Sequence, residues 1–553
     1  MVRALLFFLL VPAAFGQPSL LVNNAAYRFG IQPPRLAPRS LVQVSLEISW
    51  ADYLIGNPVP VPEIDSSQPL TLTVQAASGP EVPVAILTAT WREVIALLPA
   101  TLPLGPATMT LSYNGGLRSS GAVDLVPSAF ALFTTSSWRG PALAQNVHPG
   151  SPVELNALTR PARPGSYLTL WGTGLGLASQ QDVSVFLGGH PVPVQYVGPS
   201  PAIDGLDQVN IFVPFHDEIA NGCYVPLRID VLGEQGEPVS ISKAAEPGPC
   251  AHPLGLSEQQ MQRLDDCGAV GMVSVAIYGS VGPAPVLVGS NPAMFDPDAF
   301  TRNEQVFVYT RLADATEIAR WSRPDDVAVP GCRTSDLTVG AIGTFIDVRG
   351  INLGDNVKVS GPEGRSLDLP RFGFGYYRAF FAEAPPVEDP ADLPPPFFSA
   401  GEWEISAPGS ADAEAFRIPV SLPPPVEVTN YGQLKTIEHG AGVTVTWNPE
   451  GYRESDTVFL QIQGTPSATE SGAPSRPLLI ECNVPARAGQ VAVPTELLQG
   501  FESSGLSTAA RLTLSLNGPQ GATSRFKVKL TTGEVIPGFS SYSLSGYFPI
   551  TFE

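Results

Sequence analysis

Short runs in which every second residue is apolar recur along the chain, each ending at Gly, Pro or Asn. Val183, Val185 and Leu187 form one set, Val209, Ile211 and Val213 another, and Leu227, Ile229 and Val231 a third. Val443, Val445 and Trp447 continue the series, followed by Leu512, Leu514 and Leu516, and by Phe526, Val528 and Leu530. A period of two sends alternate side chains to opposite faces of a strand, so each run has one face to bury and one to leave in water. In the last run Arg525, Lys527 and Lys529 take the other face, as an antiparallel sheet with one wet side requires. One such strand cannot close a core, and two sheets packed face to face can. The expected class is all-β, built of tandem β-sandwiches. The 553 residues suffice for about four, at roughly 150 residues per domain. The 58 Pro and 53 Gly supply the turns, and a hydrophobic share of 44% supplies several cores.

One short helix interrupts the pattern. Ser257-Glu-Gln-Gln260 has the spacing of a capping box, Leu256 and Met261 can form a hydrophobic staple, and Leu264 extends the apolar stripe, which places this helix at a seam between domains. No alternation of β and α units is present, which excludes a parallel dinucleotide-binding sheet.

The first two segments repeat one another. Ala37-Pro-Arg-Ser-Leu-Val-Gln-Val matches Arg163-Pro-Gly-Ser-Tyr-Leu-Thr-Leu, and Pro80-Glu-Val-Pro-Val matches His190-Pro-Val-Pro-Val. Val94-Ile-Ala-Leu-Leu-Pro99 likewise matches Val209-Asn-Ile-Phe-Val-Pro214. Two copies of one sandwich follow, over 17–127 and 128–248. Proline clusters at Pro247-Gly-Pro and Pro423-Pro-Pro425 then separate a β-rich block, 249–424, from a C-terminal sandwich, 425–553. The acidic, proline-rich stretch 384–396 reads as an extended, mobile loop.

The N-terminus has Arg3, an apolar run from Ala4 to Phe15, and small residues at Ala14 and Gly16, the form of an export signal over 1–16. Twelve apolar residues are too few for a hydrocarbon core that needs about twenty, so no transmembrane segment is expected after cleavage and the product should be secreted or held at the cell envelope. Oxidation of the five cysteines is then permitted. Cys223 and Cys250 bracket two strands around a Gly233-Glu-Gln-Gly236 turn, which makes them the best pair. Cys482 alternates with Leu478, Ile480 and Val484 on an apolar face and reads as a buried, inert thiol. Elimination leaves Cys267 and Cys332 as a second pair.

The second copy resembles a known family. Pro164-Gly-Ser-Tyr-Leu-Thr-Leu-Trp-Gly-Thr-Gly-Leu-Gly176, Gly188-Gly-His-Pro-Val-Pro-Val-Gln-Tyr-Val-Gly198 and Gly205-Leu-Asp-Gln-Val-Asn-Ile-Phe-Val-Pro214 occur in the order found in the Solibacter-type uncharacterised C-terminal domain. The resemblance implies IPT/TIG-like, immunoglobulin-like modules in secreted acidobacterial proteins, and no enzymatic activity or catalytic residue comes with it. The first copy has Leu46-Glu-Ile-Ser-Trp50 where the Gly-rich turn would be, a degenerate version. Read from the residues, Gly172, Gly174 and Gly176 suit a bend after a strand. A phosphate cradle would need a following helix and usually a Lys.

Chemistry finds little support. No two of His148, His190, His216, His252 and His439 have metal-ligand spacing, and no CxxC occurs, so no metal or other cofactor is expected. Tyr278-Gly-Ser280-Val-Gly282 lacks the spacing of a nucleophile elbow. Asp296, Asp298 and Glu304 could offer oxygens to Ca²⁺ or an acid pair, against the plainer reading of a solvated loop with Arg302 as countercharge. A net charge of −20 excludes nucleic acid as partner. In the run Arg371-Phe-Gly-Phe-Gly-Tyr-Tyr-Arg-Ala-Phe-Phe381 the candidate ligand contacts are Arg371, Tyr376, Tyr377 and Arg378. The competing reading is a core strand pair with Phe372, Phe374, Tyr376 and Arg378 on one face and Tyr377 and Phe381 partly buried. Trp171 and Trp447 read as core anchors. The function expected is non-enzymatic: adhesion, envelope structure or binding of a protein or polysaccharide at the cell surface. A carbohydrate-binding accessory role is the alternative, and a hydrolase with a site assembled from distant residues is a second.

Overall fold

A computed structural model describes residues 20–24, 34–46, 70–77, 79–89, 93–113, 117–135, 141–215, 218–288, 291–322, 331–336, 350–373, 375–380, 386–388, 390–438, 440–454, 456–464, 478–499, 501, 510–516 and 522–552. The export segment 1–16, His216 and His439 lie outside them. The chain is all-β, a tandem array of immunoglobulin-like sandwiches.

The second module shows the plan most clearly. One sheet orders Ala144–Val147, Tyr167–Thr173, Asp207–Phe212 and Val194–Pro199; the other orders His190–Val192, Val183–Leu187, Gly222–Val231 and Val239–Lys243. Leu168, Leu170, Val209 and Ile211 of the first sheet meet Val183, Val185, Leu227 and Ile229 of the second in one buried core. Pro193 divides the segment that crosses between sheets, since its missing N–H cannot join a ladder. The first module repeats the order, with Glu81–Ala89 pairing with Leu70–Ala76 through its first half and with Glu93–Leu97 through its second. The likeness of Pro80–Val84 to His190–Val194 in sequence thus marks the same sheet-switching strand.

The order recurs twice more. In the third module Tyr376–Phe380, Ser366–Gly373, Asn356–Ser360, Gly401–Ala407 and Phe416–Leu422 follow one another, and Ser366–Gly373 again pairs on both sides. In the fourth, Leu478–Pro485, Thr457–Gly464 and Ala510–Leu516 face the pair Val443–Thr446 and Gln490–Val493.

These last two modules share strands. Ala269–Val288 and Asn291–Asp314 form a hairpin whose second arm pairs with Tyr376–Phe380, and the whole joins a 14-stranded sheet. Val535–Phe552 runs parallel to 273–281 through its first half and antiparallel to Ala510–Leu516 through its second. Ala522–Lys529 pairs with that first half, so residues beyond 425 complete the core holding Val275, Val306, Trp403 and Val528. Gly331–Asp336 travels the other way and pairs with Leu478–Pro485.

That pairing corrects the cysteine assignment. Cys332 lies directly opposite Cys482 and is bonded to it, Cα atoms 4.0 Å apart, while Cys267 is free and exposed. Cys482 is therefore buried as half of a disulfide. Cys223 and Cys250 form the other bond, within a core shared with Leu256, Met261 and Leu264. The helix Glu258–Asp265 has its capping box, the Ser257 hydroxyl accepting from the Gln260 N–H at 3.3 Å and the Gln260 carbonyl from the Ser257 N–H at 2.9 Å. It seals the seam between the second and third modules, where the Asp265 carboxylate accepts from the Leu158 and Thr159 backbone. A second eight-residue helix, Ala315–Ser322, follows the long hairpin.

The stretch 384–396 is not a mobile loop where it is described. Val387 exchanges backbone hydrogen bonds with Phe300, Leu393 is buried, and the Glu304 carboxylate accepts from the Phe397 and Phe398 N–H groups at 2.7 and 3.1 Å. Arg302 donates to the Pro394 carbonyl and pairs with Glu427 at 2.8 Å. Arg302 and Glu304 thus lie within a strand and clamp the proline-rich segment.

Candidate functional site

Four strands of the third module turn one face into its core and the other outward. Val275, Ile277, Val306, Val308 and Tyr377 point inward. The opposite parity therefore places Tyr278, Phe307, Tyr309, Tyr376 and Arg378 on the outer face, with Phe307 opposite Arg378 and Tyr309 opposite Tyr376 in register. A bulge between Arg371 and Gly373 lets Phe372 swing out, 66% exposed. The rings form a continuous row: Tyr278 to Phe307 at 6.1 Å between centroids, Phe307 to Tyr376 at 5.8 Å, and Tyr376 to Phe372 at 6.3 Å. The Arg378 guanidinium lies 3.9 Å over the Phe372 ring, and Arg311 lies 4.9 Å over Tyr309 while paired with Glu317. Burial pushes the Tyr376 hydroxyl above its ordinary pKa, with Arg378 opposing. The Tyr376 hydroxyl is thus a neutral donor and acceptor.

Of the four candidates, Tyr376 and Arg378 are brought together with Phe372. Arg371 is exposed opposite Tyr377, off the ring row. Tyr377 is the correction. It is fully buried, accepting from the Leu353 N–H at 2.9 Å and donating to the Gly354 carbonyl at 2.8 Å, so it pins the turn before Asn356–Ser360 and reaches no ligand. Strand parity is the reason: adjacent residues cannot share a face.

The remaining candidates hold structure. Ser280 sits mid-strand, paired on both sides, so no elbow forms. The backbone of Asp296 and Asp298 is strand, and their side chains lie outside the described residues. His252 is buried and pushed down to about 3 by desolvation, its Nδ1 accepting from the Leu254 N–H. Asp207, pushed up to about 6 by desolvation, accepts from the Leu175 N–H at 2.8 Å and fixes the Gly-rich turn. In that turn Gly174 and Gly176 have φ of +94° and +57°; a Cβ on Gly176 would meet Ala37 at 2.9 Å. Gly172, in contrast, is in the strand, where Phe130 and Ala131 leave no room for a Cβ. The turn docks the first module, with the Leu41 N–H donating to the Thr173 hydroxyl at 2.8 Å and the Leu177 N–H to the Pro127 carbonyl at 2.9 Å. Trp447 is buried, but Trp171 is half-exposed on the outer face of its sheet. Among the described residues no three His, Cys, Asp or Glu side chains gather as a metal site, and no helix is long and apolar enough to cross a membrane.

No family model and no curated protein matches the chain, so the Solibacter-type likeness rests on the motifs of the second module. Among solved structures, a Bacteroides ovatus mixed-linkage glucan utilization locus SGBP-B in complex with a heptasaccharide aligns at 11% identity over 86% of this chain and 97% of its own, with a TM-score of 0.15. A tetra-tandem repeat from the extending region of a large adhesion protein aligns at 12% over 96% and 99%, TM-score 0.12, and Sidekick-1 immunoglobulin domains 1–4 at 10% over 97% and 100%, TM-score 0.11. None superposes on this chain as a whole.

Proposed function

We propose that this chain is an exported, non-enzymatic modular binding protein of the Solibacter-type class, which serves adhesion or envelope structure by holding a protein partner on the outer face of its third module. The observation that supports this is the row Tyr278, Phe307, Tyr376 and Phe372 with Arg378 stacked upon it. A wet sheet face ordinarily carries charged or small polar side chains, as Arg525, Lys527 and Lys529 do on Ala522–Lys529. Tyr, Phe and Arg are the types enriched at the centre of protein interfaces, where rigid rings bury large area at small entropic cost. A carbohydrate-binding accessory role is the second reading, since the same rings could stack on sugars.

Retention of the purified chain on immobilised envelope proteins of the producing cell tests it. The Phe372→Ala/Tyr376→Ala variant should bind at least about tenfold more weakly, with an unchanged β-sheet spectrum. Equal retention would exclude this face, retention on polysaccharide that the Phe372→Ala/Tyr376→Ala variant loses would favour the second reading, and turnover in a broad hydrolase screen would overturn the non-enzymatic one.

A further inference from the structure

The second module carries another unusual outer face, remote in sequence from the first. Its three cross-strand rows follow from register. Val147, Tyr167 and Phe212 form one; Gln145, Thr169, Asn210 and Tyr196 the next; Trp171, Gln208 and Gly198 the third. Tyr167 and Tyr196 are exposed, Trp171, Gln208, Asn210 and Phe212 half-exposed, and Phe215, 74% exposed, extends the first row at 6.1 Å from Phe212. Tyr167 and Phe212 meet edge to face at 5.4 Å. Three rows on four strands cover roughly 14 Å by 14 Å.

The centre of this platform is made of amides in fixed orientation. The Gln208 amide donates to the Asn210 carbonyl at 2.9 Å, which directs the Gln208 carbonyl and the Asn210 amino group to other partners. The Trp171 indole donates to the Gln145 carbonyl at 3.2 Å, which leaves the Gln145 amino group to donate. No charged side chain stands in the three rows, in a chain of net charge −20. The fold does not demand these residues. The equivalent strands of the first module place Leu41 opposite Leu97 and Gln43 opposite Ile95, and those of the fourth place Thr444 opposite Ala492 and Thr446 opposite Gln490. Neither the first nor the fourth module has rings at these paired positions.

We infer that this face binds a neutral polysaccharide. Its apolar ring faces stack on Phe212, Tyr167, Phe215 and Trp171, and its hydroxyls, which both donate and accept, pair with the mixed amide donors and acceptors. An apolar protein surface would leave those amides unsatisfied, and an anionic chain would meet no cation in the rows. The site is independent of the third-module face.

Affinity electrophoresis of the full chain in native gels cast with hydroxyethylcellulose, glucomannan or dextran, with polygalacturonate as the anionic comparison, tests the inference. At least one neutral polysaccharide should retard the protein more than polygalacturonate does. Trp171→Ala/Phe215→Ala should raise the apparent Kd about tenfold or more, Gln208→Ala/Asn210→Ala should weaken binding without disturbing a ring, and Phe372→Ala/Tyr376→Ala should leave retardation intact. Failure of every neutral gel to retard the folded protein overturns the inference. So does stronger retardation by polygalacturonate, or retardation unaltered in both second-module variants. Absence of retention of the parent chain on envelope proteins, with retardation preserved, would sink only the third-module reading.

Discussion

The first two modules and the last two are built on one strand order yet closed in different ways. In the first pair each core draws on a continuous stretch, Leu36 to Leu125 and Phe130 to Ile241. In the second pair the cores draw on distant stretches, and Val535–Phe552 contributes to both: Ile536 and Tyr542 to the third, Phe548, Ile550 and Phe552 to the fourth. A sandwich whose strands all come from one stretch can fold and fail alone. Two that share a strand cannot.

The most severe way to break this comparison is deletion of residues 535–552. Both later modules should lose cooperative folding while the first two persist as a protease-resistant fragment; limited proteolysis with mass mapping reads it, and survival of a resistant third module would refute the coupling. The disulfides give a smaller, graded effect. Cys332–Cys482 closes a loop of 150 residues and Cys223–Cys250 one of 27, so chain entropy predicts losses of roughly 5 and 3.5 kcal/mol on replacing each pair with Ser. Urea midpoints should show the first change confined to the transition of the later modules. A reversed order would mean that the loop is already constrained by the shared sheet.

The mildest test uses protons. Desolvation lowers His252 to about 3, so below pH ~6.5 the unfolded state binds more protons and stability falls as pH drops toward ~3. Asp207 has the opposite sign: raised to about 6, it holds its proton better when folded, and its contribution, full below pH ~4, is lost as pH rises through ~6. His252→Gln should flatten the acid slope at the seam between the second and third modules, whereas Asp207→Asn should remove the decline between pH ~4 and ~6 at the seam between the first and second. Midpoints against pH that are identical in both variants and in the parent would deny either group a role.

The strand parity that sends Tyr376 outward and Tyr377 inward was legible as alternation, though not which of the two would be wet. The register against Asn291–Asp314 decides that, setting Tyr377 opposite the inward Val308, and a partner strand that begins 85 residues earlier leaves no mark on the local pattern. The first two copies could be seen because motifs such as Pro-Val recur at the sheet-switching strand. The later copies were hidden by the inserted hairpin 269–314, which supplies the neighbour of Tyr376–Phe380. Cys223 and Cys250 could be paired because one hairpin joins them, while Cys332 and Cys482 meet only through a ladder formed across 150 residues. The platform of the second module was also within reach. Gln208, Asn210 and Phe212 are the complement of the inward Val209 and Ile211, so the same alternation that marks the buried face also spells out the wet one.

During synthesis the hairpin 269–314 is made more than 200 residues before Val535–Phe552, the strand that flanks it. Until those residues exist, one arm shows an unsatisfied backbone edge backed by Val273, Val275 and Ile277, a template for mispairing with a neighbouring chain. A holdase or rapid elongation across this interval would shield that edge, a protection for which the chain's self-contained first half has no use.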